Sequence, residues 1–253
     1  MSPANRLVVL TGPSCVGKSP LDRSLGQLYP EVRGRLERLV LFNDRPPRPG
    51  ELDGVDYHFR PRAVIEALRG EARFAVLDVR GDFQAVDLDA LTAILGRGDA
   101  FFEGNPFVAR LLVTHPRLAG TPRLSCFVSP LSREEILAFR GRAGLVLADL
   151  VTEVMRRKLL RRTRRQRGSL EAGNLTASDL EVVERRAKSA YRELQDAWRF
   201  DHVLPNHDGE DSEHWDAFPE PIGDARRVVQ AFAALLSGEI PALAERWDES
   251  LLG

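Results

Sequence analysis

The chain has 253 residues, 43% hydrophobic and 29% charged, enough apolar material for a sizeable core, and one domain with mobile flaps is expected. A net charge of −1 excludes a global electrostatic pull toward nucleic acid or membrane, so ionic recognition must come from local clusters. Two distant cysteines, Cys15 and Cys126, make no disulfide framework, and no apolar run approaches the ~20 residues that span a bilayer. With no signal-peptide pattern before Leu7, a soluble, cytoplasmic protein is expected.

The first element is a short apolar run, Leu7-Val8-Val9-Leu10, of the kind a buried strand requires. It leads into Gly12-Pro13-Ser14-Cys15-Val16-Gly17-Lys18-Ser19, which fits the phosphate-loop pattern G-x-x-x-x-G-K-S/T in its proper context of strand before and helix after. The glycines let successive backbone N–H groups curl around a polyphosphate, and the following helix turns its positive end toward the anion. Lys18 then reaches the β/γ-phosphates of ATP and the Ser19 hydroxyl binds Mg²⁺. Residues 18–28 form a helix with Leu21, Leu25 and Leu28 on one face. Pro20 sits in its first turn, where it removes an N–H donor and is expected to weaken triphosphate binding. Cys15, at a positive helix start, is read as a tolerated small residue rather than a reactive thiol.

After the apolar patch 39–42, prolines at 46, 47 and 49 forbid helix and hold Arg45 and Arg48 on a loop, with Tyr57 nearby. Solvated arginines on a surface turn would look the same, but two guanidinium groups beside a phenol also make a fork for a terminal phosphate.

The phosphate loop together with Arg45-x-Pro47-Arg48-x-Gly50-Glu51-x-x-Gly54-x-x-Tyr57-x-Phe59 resembles the guanylate kinase family. The resemblance implies that Arg45, Arg48 and Tyr57 bind the phosphate of a nucleoside monophosphate and that Glu51 matches the family's loop glutamate. Residues 61–97 would belong to a small monophosphate-binding flap, with a helix at 63–68 and a strand at 74–78. Counting back from Gly81, Ala75 stands where the family reads guanine with a glutamate, and Leu41 where it carries a hydroxyl residue. Asp78, or Asp82, is expected to substitute after a small register change.

Further on, Leu88–Leu95 reads as a helix, followed by a turn at Gly96-Arg97-Gly98 and an apolar strand that ends at Glu103. An acid at a strand end can hold the Mg²⁺ shell. By the resemblance, Glu103 and Asn105 occupy places where the family has aspartates, which makes Glu103 a metal residue and Asn105 an acceptor residue. A strand at 125–128 precedes Ser132 and Glu135, which form a capping-box helix start.

The segment 141–167 departs from the family. A broad apolar helical face runs from Leu145 to Leu160, and Arg156, Arg157, Lys158, Arg161, Arg162, Arg164, Arg165 and Arg167 follow within twelve residues. An enlarged lid whose arginines close over the transferred phosphoryl group is the leading reading, ahead of a solvated helix face and of nucleic-acid contact. The apolar face suits core packing, with a homodimer interface as the alternative. A second helical region spans 174–198, capped at Ser178 or Asp179. Within it Arg186 matches the family's lid-side phosphate arginine. A last strand ends at Asn206, which matches the asparagine near the adenine of ATP. Residues 207–223 read as a flexible polar loop rather than a metal site, 224–236 as an amphipathic helix, and the tail with Trp247, Leu251 and Leu252 docks on the body or on a second subunit.

These expectations combine into an α/β fold: a three-layer P-loop core with a parallel sheet (1–40, 98–140 and 199–253), a flap (41–97) and a helical lid (141–198). The resemblance implies transfer of the ATP γ-phosphoryl to a nucleoside monophosphate, GMP first. Lys18, Arg45, Arg167 and Arg186 would be catalytic, and small nucleotides rather than membrane or nucleic acid would be the partners. A kinase of another phosphorylated acceptor such as a sugar phosphate, and a catalytically silent binding module, are the alternatives.

Overall fold

The computed structural model describes residues 5–48, 50–167 and 175–252. The chain begins with β1 (Leu7–Thr11), α1 (Lys18–Leu28), the single turn α2 (Pro30–Arg33) and β2 (Leu36–Arg38). It continues through β3 (Leu41–Asn43), β4 (Tyr57–Phe59), α3 (Arg62–Ala67), β5 (Phe74–Val79), β6 (Asp82–Asp87) and α4 (Leu88–Leu95). Then come β7 (Asp99–Gly104), α5 (Pro106–Thr114), β8 (Arg123–Ser129), α6 (Arg133–Arg140), α7 (Leu147–Arg167), α8 (Ala177–Leu194), β9 (His202–Pro205) and α9 (Gly223–Leu236).

Five strands form a parallel sheet in the order β2-β7-β1-β8-β9. Its central strand is apolar at Leu7 through Leu10 because both faces are covered, as parallel sheets require. Val9, Phe102 and Phe127 face one apolar layer with α4, α5, α7 and α8. Val8, Leu10, Phe101 and Val128 face the other, with α1 and α9. The result is the expected three-layer α/β core, with loops at the carboxyl ends of its strands gathered on one edge.

A second sheet, β4-β3-β6-β5, lies within 41–87 and is mixed, with β3-β6-β5 antiparallel and β4 parallel to β3. Its β5–β6 hairpin turns at Arg80 and Gly81, both at positive φ (59° and 94°), the pairing that a tight hairpin turn demands. Leu41 and Val86 sink into the main core, Ala75 packs against it, and Ile65, Phe83 and Ala85 make a small core beneath α3.

Several boundaries differ from expectation. Helix α8 is capped by Thr176, whose hydroxyl accepts from Asp179 N at 3.2 Å while the Asp179 carboxylate accepts from Thr176 N. Thus neither Ser178 nor Asp179 is the cap, and Asp179 closes the box. The expected start at Asn174 and the loop proline Pro49 lie outside the described residues. The expected loop 207–223 is packed in its first half, while Phe218 stands 97% exposed. Trp215 is buried and its indole N–H donates to Asp208 O and Gly209 O, both at 2.9 Å. The α7 face of Val151, Met155 and Leu159 is core, and the tail buries Trp247, Leu251 and Leu252 on the body. No helix among the described residues is long and apolar enough to cross a membrane.

Candidate active site

Between β1 and α1 the glycine loop closes tightly. Gly12 sits at φ +144°, where a Cβ would come within 2.3 Å of Val128 O, and Gly17 at φ +103°, where one would meet the Asn206 amide at 2.6 Å. Only glycine fits either place. Cys15 beside them is buried, and burial pushes its thiol up to about 12, so it is inert as a nucleophile. Lys18 is buried, with its ammonium donating to Gly12 O (2.9 Å) and Pro13 O (2.8 Å). Burial lowers its pKa, against the opposing fields of Glu210 and Glu103.

Ser19 and Glu103 meet at the mouth of the loop, Oγ to Oε1 at 3.4 Å. Burial raises the Glu103 pKa against the pull of Lys18 and Arg38, and the Arg38 guanidinium stays 3.9 Å away. A largely buried carboxylate whose guanidinium partner stands off at 3.9 Å, beside a hydroxyl, is a hard-oxygen pair that fits Mg²⁺ and leaves its remaining positions to phosphate oxygens and water.

Opposite this loop, Arg45 grips Glu51 with both guanidinium nitrogens (2.6 and 2.7 Å), and Glu51 also accepts from Arg48 N at 2.7 Å. The Arg45 guanidinium stacks on Tyr57 and Phe59 at 5.1 and 5.4 Å from their ring centroids. Glu51 is therefore the brace of the arginine loop. Burial and the Arg45 cation depress the Arg48 pKa. Arg186 is depressed further, by burial and then by Arg48, Arg162 and Arg80. Arg45, Arg48, Arg162 and Arg186 gathered on one cleft make a positive pocket suited to an anionic ligand.

One cleft is lined by Gly12, Ser14, Lys18 and Ser19 on the donor side and by Arg45, Arg48, Glu51 and Tyr57 on the acceptor side, with Glu103, Asn105 and Arg186 between. Outside the glycine loop, three expected site residues lie elsewhere. Arg167 pairs with Asp179 at 2.8 Å and ties the end of α7 to the start of α8. Arg162, five residues earlier and hence about 140° around the helix, is the arginine of the α7 basic run that lines the cleft. Its Nη1 meets Glu210 at 2.6 Å, and its buried Nε has no hydrogen-bond partner among the described residues. Asp78 is exposed, accepting from Gly81 N at 2.7 Å, because strand alternation turns it outward while Val79 faces the cleft. Asn206 is fully buried and spends its amide on Val16 O (2.8 Å) and Asp208 O (2.7 Å), pinning the glycine loop from below instead of lining the cleft.

Arg185, one position out from the family match at Arg186, also lines the cleft, as do Arg38, Asp56, Arg80, Gln84 and Glu210, which no sequence pattern marks. Arg80 joins the β5–β6 hairpin to α8 through the buried Glu193 at 2.7 Å. Most of the basic run is structural. Arg156 pairs with Glu153 and Glu184, Arg161 with Asp211 and Arg165 with Asp216, fastening α7 to α8 and to 207–216.

A family model described as guanylate kinase matches residues 4–83. The guanylate kinase of Alkalilimnicola ehrlichii is 30% identical over 241 residues, covering 94% of this chain and 95% of the relative. That of Synechococcus sp. is 30% identical over 203 residues, covering 79% and 75%. The crystal structure of guanylate kinase from Anaplasma phagocytophilum matches with a TM-score of 0.54 at 16% identity, over 98% of this chain and 94% of that one, a likeness of fold.

Proposed function

The chain is a nucleotide kinase that belongs to the guanylate kinase family, and from that premise we propose that it transfers the γ-phosphoryl group of ATP to GMP. The observation that carries the proposal is the cleft itself, which sets a glycine-built anion cradle against a braced arginine pair. The ATP polyphosphate would lie on Gly12 to Ser19, with Lys18 exchanging its carbonyl partners for β/γ-phosphate oxygens. Ser19 and Glu103 would hold Mg²⁺, which supplies charge neutralisation on the phosphates when bound.

Arg45, Arg48 and Tyr57 would fix the acceptor phosphate, with Glu51 holding Arg45 in place. No general base is needed, because the attacking oxygen already belongs to a phosphate anion. Catalysis would then rest on alignment and on charge stabilisation by Lys18, Arg162 and Arg186 around the transferred group. We assign 41–97 to the acceptor flap, 141–198 to the lid and the remainder to the core.

The test is ADP release across nucleoside monophosphates and phosphorylated sugars. GMP as the productive acceptor supports the proposal. Product only with another acceptor redirects it, and no product at all makes the chain a silent binding module. Lys18→Ala should abolish turnover, and near-normal rates in that variant would refute the mechanism.

A further inference from the structure

The positions where the family resemblance predicts guanine-reading groups are occupied by Ala75 and Leu41, which pack with the apolar core. A base edge would find no hydrogen-bonding partner there. We propose that Asp82 and Gln84, two residues apart on β6, read the guanine edge in their place. This rests on the assignment of the chain as a GMP kinase.

Side chains at 82 and 84 share one face of the strand, about 6.6 Å apart along it, and both line the cleft that holds Arg45, Arg48 and Tyr57. The orientation of the Gln84 amide follows from a helix cap. Asn105 starts α5, and its Oδ1 must accept from Val108 N (3.0 Å). Its Nδ2 is thereby left to donate to Gln84 Oε1 (2.9 Å). The free end of Gln84, only 6% exposed, is therefore its NH₂ group, which has no partner among the described residues.

Asn43 stands directly across from Gln84 in the β3–β6 register and spends its Oδ1 on Arg45 N at 3.2 Å. Its buried Nδ2 is likewise without a partner. On the cleft wall it is Gln84 that offers an amide donor, with the fully buried Asn43 behind it. The half-buried Asp82 carboxylate, which accepts no hydrogen bond among the described residues, adds an acceptor beside them.

Guanine carries a complementary pattern. Its O6 accepts, and its adjacent N1–H and 2-amino group donate. Gln84 would serve O6, and Asp82 would take the two donors as charge-assisted bonds. Adenine reverses the pattern, setting an amine against the Gln84 amine and a ring nitrogen against the carboxylate. An unpaired buried polar group rejects the wrong base strongly.

The experiment compares kcat/KM for GMP, IMP and AMP in the unaltered protein and in Asp82→Asn, Gln84→Leu and Gln84→Glu. The unaltered protein should prefer GMP to IMP, which lacks the 2-amino group, and both to AMP. Asp82→Asn should collapse the GMP-over-AMP ratio by about 10- to 100-fold, the worth of a charged hydrogen bond. Gln84→Glu keeps the partner of Asn105 but sets a carboxylate against O6, so it should lose GMP and IMP together. Gln84→Leu should lower the same ratio by about 3- to 10-fold. Variants that slow GMP and AMP alike would place these residues at the phosphate or in the scaffold and overturn the inference. Unaltered ratios would overturn it as well. An unaltered protein that phosphorylates no nucleoside monophosphate would defeat the kinase assignment itself, and the inference with it.

Discussion

Removing the Glu51 carboxylate tests how the arginine loop is held. Glu51 accepts two bonds from the Arg45 guanidinium (2.6 and 2.7 Å) and one from Arg48 N (2.7 Å), and the two side chains of the pair are only 12% and 18% exposed. Deleting one partner of a buried pair costs about 3–5 kcal/mol because the other charge is stranded. Here the loop can relax toward water and a bound phosphate can take over Arg45, so about 2–3 kcal/mol is expected to appear in acceptor binding. That is a loss of roughly 30- to 150-fold in kcat/KM for the acceptor. Glu51→Gln retains one oxygen for Arg45 and should lose less than Glu51→Ala. Because Glu51 braces only the acceptor side, KM for ATP should move less than about threefold. Steady-state kinetics with each substrate varied in turn resolves the two effects. Full acceptor kcat/KM in Glu51→Ala, or an equal loss on the ATP side, would refute the bracing role.

Arg162→Ala should lower kcat by about 100-fold or more, the usual cost of deleting a transition-state charge donor, while Arg167→Ala should cost less than about 1 kcal/mol of stability through its exposed pair with Asp179 and leave kcat near normal. Single-turnover rates and thermal melts separate the two. Gly12→Ala must place a Cβ within 2.3 Å of Val128 O at a φ of +144°, so it should abolish ATP binding in a titration and lower stability by about 2 kcal/mol or more. His207 bridges Asp224 (2.6 Å) and Glu135 (3.0 Å). Burial opposes its protonation, but the two carboxylates outweigh it and raise the pKa. A raised folded-state value means that the stabilisation is fully present below the unfolded value of about 6.5 and fades as pH rises through the folded value. His207→Ala should therefore destabilise the fold more at pH 6 than at pH 9, the difference being under about 1 kcal/mol after solvent screening, as thermal melts at the two pH values would show.

How much of this was readable in the chain depended on whether local chemistry or packing decided the outcome. The glycine loop, the arginine loop, the helix Leu88–Leu95 and the Ser132–Glu135 capping box are local, and they stand in the structure as their residue types dictate. Helix α5 also has a local signal, Asn105-Pro106, an N-cap followed by proline at the first helical position. The choice between Arg162 and Arg167 was not legible, because in a run of eight bases only the rotation of α7 against the core decides which one faces the cleft. Asp78 and Asp82 differ by strand phase, which the positive-φ turn at Arg80-Gly81 sets. Asn206 was misplaced because its amide holds the glycine loop from beneath, a contact between residues 190 apart in sequence at Val16 and Asn206.

The most direct measurement follows the phosphorus. The protein is incubated with Mg²⁺, GMP and ATP labelled at the γ-phosphoryl group, and the nucleotides are separated. The account predicts label in GDP in step with ADP formed, and none of this transfer in Lys18→Ala. Label released only as inorganic phosphate, or ATP left intact beside unlabelled GMP, would contradict it.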